Sequence, residues 1–243
     1  MDVFLTTWKT NFLPPFLEPL LYLVAMGLGF GVLIGQVVYE GHFVDYIRFL
    51  APGLIAISIM NSAFYECTYG SYVRMHYQKT FDAIIATPLT IEDVITGEIL
   101  WGATKSLINS VIVLLVVVVT GLGSFPGFMF IPFIAFLTGL MFASVAMIFT
   151  AIVPNIDSFN YPFFLLITPM FLFGGTFFPL SVLPSWGQTM AQILPLTHTT
   201  TLVRDLSFNT LLPIDLLGLL YVSMLTVMTF FIAVYLMKKR LIK

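Results

Sequence analysis

Long apolar runs separated by short polar breaks dominate this chain. Six runs approach the roughly 20 residues a helix needs to cross the hydrocarbon core of a bilayer. They fall at about residues 17–34, 50–72, 99–122, 128–153, 159–178 and 214–237. The runs at 128–153 and 159–178 hold no Asp, Glu, Lys or Arg at all. The pattern predicts an all-α polytopic membrane protein, one transmembrane domain over residues 1–243 with six transmembrane helices.

Three segments break the pattern. Residues 1–13 read as an N-terminal interfacial helix, with Phe4, Leu5, Trp8 and Phe12 at helical spacing and Lys9 on another face, before Pro14 and Pro15 interrupt the chain. Residues 74–98 form the most polar stretch, containing Lys79, Asp82, Glu92, Asp93 and Glu98. Within it, 77–86 has helical potential, with Phe81, Ile84 and Ile85 on one side and Gln78, Lys79 and Asp82 elsewhere. Thr87 and Pro88 end that helix, and Thr90 with Asp93 three residues on has the form of an N-terminal capping pair. The third segment, 179–211, is apolar, rich in proline and too short to cross. A helix over 185–194 capped by Ser185 and another from Thr197 would make an outer re-entrant hairpin, which membrane depth tolerates only under a cover of protein.

Composition agrees. Hydrophobic residues make up 59% of the chain and charged ones 9%, well under the roughly 25% of soluble domains. Net charge is −2, and no basic patch points to nucleic acid. Basic residues are retained on the cytoplasmic side. With the N-terminus inside, eight of the ten (Lys9, Arg74, Lys79, Lys105, Lys238, Lys239, Arg240, Lys243) fall in or near the cytoplasm and two (Arg48, Arg204) outside. Both termini are therefore expected in the cytoplasm of a bacterial-type inner membrane. No cleavable signal is evident, so the first run is expected to be retained.

Enzymatic chemistry finds little footing. Gly97 and Gly102 have the spacing of a phosphate-binding loop, but Ala103 stands where lysine is needed. The single cysteine, Cys67, allows no internal disulfide, and the histidines (His42, His76, His198) are scattered, so no metal site is expected. Other groups carry more. Glu66 and Lys105 are the deepest charges, roughly 10–16 Å from the cytoplasmic ends of their helices; each is costly alone in hydrocarbon, which predicts an intramembrane pair, structural or gating. Tyr65, Tyr69 and Tyr72 form a stripe on span 2 that would serve either packing or the path of an amphiphilic substrate. Gly27, Gly31 and Gly35 form a ridge of small residues for internal packing or for contact across a homodimer axis.

The order of these features resembles the permease subunit of ABC-2 type transporters. The resemblance rests on Leu50-Ala51-Pro52-Gly53, on Thr87-Pro88-Leu89-Thr90, and on Pro195-Leu196-x-His198 followed by Arg204, and it covers essentially the whole chain. Within the family, Tyr69-Gly70-Ser71-Tyr72, Arg74-Met75-His76 and Gly97-Glu98-Ile99-Leu100-Trp101 look like the permeases for nodulation lipo-chitooligosaccharides. The resemblance implies a second copy of the chain as partner, and two copies of a separate ATP-binding subunit that carry the ATP and Mg; no cofactor is expected in this chain. It implies a coupling helix near 77–86, with Lys79, Phe81, Asp82, Ile84, Ile85, Thr87 and Pro88 facing the ATPase, and outward movement of a lipid-linked, glycolipid or other amphiphilic substrate. Pro195, His198 and Arg204 then lie at the outer face, tying short helices to span ends or touching substrate. A stand-alone secondary transporter or channel is the alternative.

Overall fold

The computed structural model describes residues 8–123 and 125–242, with side chains from Leu17 onward except Glu18. In chain order it holds α1 (Trp8–Ile34), a hairpin of β1 (Gln36–Tyr39) and β2 (His42–Asp45), α2 (Tyr46–Tyr77), the short α3 (Thr80–Ile85), α4 (Ile91–Val119), α5 (Gly127–Ile152), α6 (Ile156–Phe173), the outer α7 (Ser185–Ile193) and α8 (Pro195–Phe208), and α9 (Asp215–Leu241). Five of these, α2, α4, α5, α6 and α9, are long and apolar enough to cross a membrane, and Pro19–Ile34 of α1 is a shorter apolar helix.

α2 is the axis of the bundle. It packs against α1, α4, α5 and α8, and 78% of its apolar window is buried against 22% for α6 and α9, which leaves those two as flanks. From Phe49 to Met60 it is buried all round: Phe49, Leu50, Ala51, Ile55 and Ile59 have no exposed surface. A helix hydrophobic on every side is an interior one. Gly53 in this stretch lets the bend after α6 come close, since a side chain there would meet the Thr176 methyl at 2.7 Å.

Several boundaries differ from the sequence pattern. The break at Pro14 and Pro15 is absent: α1 runs unbroken from Trp8, so residues 8–13 belong to the same helix as the first apolar run, and residues 1–7 of the expected interfacial helix lie outside the described residues. Where neighbours and water can re-satisfy freed carbonyls, proline does not end a membrane helix. The loop after α1 is an antiparallel hairpin pairing Gln36 with Asp45 and Tyr39 with His42, turned by Glu40 and Gly41 at positive φ, so the fold is not purely helical. Span 2 begins four residues earlier, at Tyr46, and runs to Tyr77. The helix capped by Thr90 and span 3 are one element, and Thr90 and Asp93 make the reciprocal capping box. Span 5 ends at Phe173, five residues short of 178. Ser185 opens α7 without a side-chain cap bond, and α8 starts at Pro195, a residue suited to a first turn because it has no N–H to leave unpaired. The last span continues to Leu241 and takes in the basic tail, where cations meet the negative end of the helix.

The glycine ridge does not exist as a single helical face. Gly27 meets Ile47 of α2, with 2.9 Å left for a side chain, while Gly31 has open space beside it. Gly35 lies beyond the helix end at φ +67, where it turns the chain into β1.

The face of α3 assigned to an ATPase is also corrected. Phe81 is fully buried in this chain, and Ile84 and Ile85 are half-buried against the same core. The exposed residues are Lys79, Asp82, Ala83 and the stretch from Ala86 to Thr90. An aromatic side chain between two membrane helices gains more by covering their ends than by facing water. Phe81→Ala should therefore cost about 3–5 kcal/mol in the stability of the permease itself. Denaturation of the purified protein in detergent checks this, and a wild-type melting curve would show that Phe81 anchors nothing.

Candidate functional site

Four charges meet between the halves of α2 and α4 nearest α3. Glu66 and Arg74 are eight residues apart on α2, and Glu98 and Lys105 seven apart on α4, so each pair occupies one helix face about two turns apart. Because the helices run antiparallel, the deep Glu66 meets the deep Lys105 and the shallower Arg74 meets Glu98. Lys105 Nζ donates to Glu66 Oε2 at 2.6 Å, and Arg74 Nη1 stands 2.8 Å from Glu66 Oε1. Arg74 also forks onto Glu98, Nε to Oε1 at 2.9 Å and Nη2 to Oε2 at 2.5 Å. Trp101 Nε1 donates to Glu66 Oε1 at 3.2 Å and Ser71 Oγ to Glu98 Oε2 at 2.6 Å. The two carboxylates and two cations balance, and every side chain is mostly buried, Glu66 most of all at 8% exposure.

The backbone is re-aimed for this purpose. α2 carries two wide turns with i→i+5 bonding, Glu66–Gly70 and Val73–Tyr77. Such turns recur at functional sites. Around the first, the Thr150 hydroxyl of α5 donates to the Cys67 carbonyl at 2.6 Å. Arg74 and Glu98 were not assigned to this cluster from sequence, although their two-turn spacing from Glu66 and Lys105 is written there.

Outward from the Glu66–Lys105 pair lies a cavity of about 260 Å³ between α1, α2 and α4. Ser58, Asn61, Ser62 and Asn109 give it a polar wall, and Pro19, Leu54 and Ile57 an apolar one. Asn109 Nδ2 donates to Ser62 Oγ at 2.7 Å, whereas the buried Ser58 hydroxyl has no partner. Of the tyrosine stripe only Tyr65 lines the cavity; it is 40% exposed. Tyr69 packs on Phe159 at 5.2 Å, and Tyr72 is buried with its hydroxyl donating to the Pro154 carbonyl at 2.9 Å. Tyr65 also packs on Tyr69 and on Phe163 of α6, with ring centroids 6.0 and 5.8 Å apart, so all three tyrosines pack α2 against α6 and the first also reaches the cavity.

At the end of the bundle that carries the hairpin, Arg204 is almost wholly buried. Its guanidinium donates to the carbonyls of Phe49 (3.2 Å) and Gly175 (2.9 Å) and lies 3.8 Å over the Phe49 ring. It joins α8 to the start of α2 and to the bend after α6. Beside it, Tyr39 of the hairpin donates its phenol to Asp205 Oδ1 at 2.8 Å. Burial pushes the Asp205 carboxyl up to about 7; Asp215 and Glu40 push the same way, while the Tyr39 bond and Arg204 oppose it. His198 rests on the Tyr221 ring with its Nε2 2.8 Å from the Gln192 carbonyl, and Pro195 starts α8, so this motif organises the short outer helices.

Two predictions follow from these contacts. Glu66→Gln strands Lys105 beside a neutral amide and should cost about 3 kcal/mol, the scale for breaking a buried pair. Glu66→Gln combined with Lys105→Met should recover part of that loss in a double-mutant cycle; additive losses would show that the two side chains are not coupled. The raised Asp205 carboxyl holds its proton more tightly folded than unfolded, so its contribution is full below about pH 4 and fades as pH rises through about 7. Thermal stability should therefore decline over that window in the wild type and decline less in Asp205→Asn. Equal slopes would remove Asp205 as the source.

The comparisons agree with this architecture. The family model described as ABC-2 type transporter matches residues 2–208. Nodulation protein J of Sinorhizobium fredii (strain NBRC 101917 / NGR234) is 36% identical over 226 residues, 93% of this chain and 84% of that protein. Nodulation protein J of Rhizobium meliloti (strain 1021) is 36% identical over 228 residues, 92% and 84% of the two chains. The inner membrane transport permease YadH of Escherichia coli (strain K12) is 23% identical over 195 residues, 80% and 74%. With a multi-helix membrane bundle and a match over most of its length, the chain belongs to the ABC-2 type transporter family and is a membrane permease.

Proposed function

We propose that this chain is the membrane half of an ATP-driven exporter, working as a pair of identical permeases with two copies of a separate ATP-binding subunit. ATP and Mg are held by that subunit, and the cargo is an amphiphile moved outward across a bacterial inner membrane. Family membership favours this over a stand-alone secondary transporter or channel.

The observation that carries the reading is α3. A six-residue helix joins two spans, is pinned from above by Phe81, and leaves Asp82, Ala83, Thr87 and Pro88 facing away from the bundle. Lys79, at φ +54, makes the sharp entry to it, and Pro88 restricts the residue before it, so both ends are stiff. A partner docked on the outer face of such a helix moves α2 and α4 together, because α3 is built into their inner ends. Lys238 of α9 also pairs with Glu92, two residues past Thr90, which links the last span to the same corner. Packed interfaces that have two discrete arrangements convert such a push into a change of state.

Co-purification of a soluble ATPase in equal stoichiometry tests the assignment. Asp82→Arg, on the exposed face, should lower ATPase retention at least tenfold while the permease still inserts and melts normally. Retention at the wild-type level, with ATP-dependent transport intact, would move the docking surface elsewhere. Orientation has its own check. Native Cys67 is buried, so Ser181→Cys should react with an impermeant maleimide in intact cells and Gln78→Cys only after permeabilisation. The reverse pattern would invert the topology.

A further inference from the structure

Where the hairpin meets α2, an acid and a base stand side by side without bonding each other. Asp45 is the last residue of β2, and Arg48 lies three residues on, in the first turn of α2. Side chains at that spacing are close neighbours. Yet among the described residues Arg48 takes part in no ion pair and no side-chain hydrogen bond. Both line a cavity of about 340 Å³, together with Gln36, Phe43 and the turn at Gly121 and Leu122 that follows α4. We propose that this cavity binds the head group of a zwitterionic phospholipid, with Arg48 taking the phosphate and Asp45 a primary ammonium, as phosphatidylethanolamine offers them. The lipid belongs to the surrounding membrane and is not the cargo, so the inference stands apart from the exporter reading.

The cavity lies at the level of lipid head groups. α2 and α4 are both long and apolar enough to cross a membrane, α2 begins at Tyr46 and α4 ends at Val119. A crossing helix ends where hydrocarbon gives way to head groups, and the cavity is built at these two ends. From its rim an apolar strip runs back along α4: Leu115 and Val119, one turn apart, are 57% and 84% exposed. An acyl chain can lie on that strip while its head group occupies the cavity. Phe43, 76% exposed at the mouth, stands where aromatic side chains favour the membrane interface. A soluble phosphate compound would use neither feature.

The polar groups divide by sign. Arg48 is the donor, and a planar guanidinium matches two phosphate oxygens at once. Asp45 Oδ1 accepts from Gln36 Nε2 at 3.0 Å across the base of the hairpin. That bond holds the carboxylate in place and leaves its second oxygen, with the Gln36 carbonyl oxygen, as acceptors for an ammonium group. Asp45 stands at the N-cap of α2 but makes no cap bond, so the helix does not engage its charge. Asp45 and Arg48 are the charged residues among those described as lining the cavity, and they balance. A head group that is anionic only would meet Arg48 but also face Asp45, and a like charge left opposite is a device of specificity. A choline head group balances the charges but has no N–H to donate. A primary ammonium joined to the phosphate by a two-carbon arm satisfies both residues, which are themselves close neighbours.

Native mass spectrometry of the full-length permease in detergent counts bound lipid directly. The probes are phosphatidylethanolamine, phosphatidylcholine and phosphatidylglycerol with matched acyl chains, and soluble O-phosphoethanolamine. Phosphatidylethanolamine should bind saturably and about tenfold more tightly than either other lipid, the scale of one charged hydrogen bond. Arg48→Gln should weaken its binding by about the same factor. Asp45→Asn keeps an acceptor for Gln36 but leaves the cavity net positive, so the preference should pass to phosphatidylglycerol. A merely structural role for Asp45 would not exchange one lipid for another. Both side chains are exposed, and both variants should melt like the wild type. Equal binding of the three lipids, wild-type binding by Arg48→Gln, or an unchanged order of lipids in Asp45→Asn would each overturn the proposal. O-phosphoethanolamine binding as tightly as the lipid would overturn the assignment to a lipid.

Discussion

Hydrocarbon offers a charge no water, so a charged side chain inside a membrane bundle must find its opposite within the protein. Here that requirement sets the relation of α2 to α4. Glu66 and Lys105 neutralise each other at one level and Arg74 and Glu98 at a shallower one, with Arg74 bridging both carboxylates. Sliding either helix by a turn would separate all four. The register of the two helices is thereby pinned more sharply than apolar packing between similar side chains would pin it. The wide turns in α2 belong to the same solution, since they let Glu66, Ser71 and Arg74 all reach across to α4.

The end that carries the hairpin is held by a different device. Arg204 has its donors on backbone carbonyls at the start of α2 and in the bend after α6, and its flat face on Phe49. Carbonyls freed where helices end or bend need donors when water is excluded, and a guanidinium can serve several at once. The hairpin is tied in through Tyr39 and Asp205. The opposite end uses the same logic once more: Arg240 of α9 donates to the carbonyls of Thr150 and Val153 at the end of α5, the latter at 2.7 Å. Between these two anchored ends lies the polar cavity, walled by α1, α2 and α4. It sits next to the charge cluster, so a change in the relation of α2 to α4 would alter the cavity and the cluster together. α3 is attached to both helices at their inner ends. α3, the charge cluster and the cavity therefore lie along the same pair of helices.

That the chain is a bundle of long apolar helices, and the rough limits of five of them, was legible in the sequence because length and hydropathy are local properties that the bilayer reads directly. The capping box at Thr90 and Asp93 was legible for the same reason: both partners lie within one turn. So was the pairing of Glu66 with Lys105, because depth along a helix can be counted and a deep charge needs a partner. What required tertiary structure was direction around the helix axis. Phe81 has the same amphipathic context whether it faces a partner or its own bundle, and only the packed ends of α2 and α4 show that it points inward. Tyr65, Tyr69 and Tyr72 share a stripe, and only the approach of α6 shows that all three pack on it while Tyr65 alone of the three also lines the cavity. Gly35 sits at helical spacing from Gly31 yet belongs to the turn into a hairpin, whose strands are too short to stand out against apolar neighbours. The inclusion of Arg74 and Glu98 in the charge cluster depends on how two antiparallel helices are set against each other. A sequence reports what each segment prefers in a membrane; which faces meet is decided by long-range packing, and the site is made of those meetings.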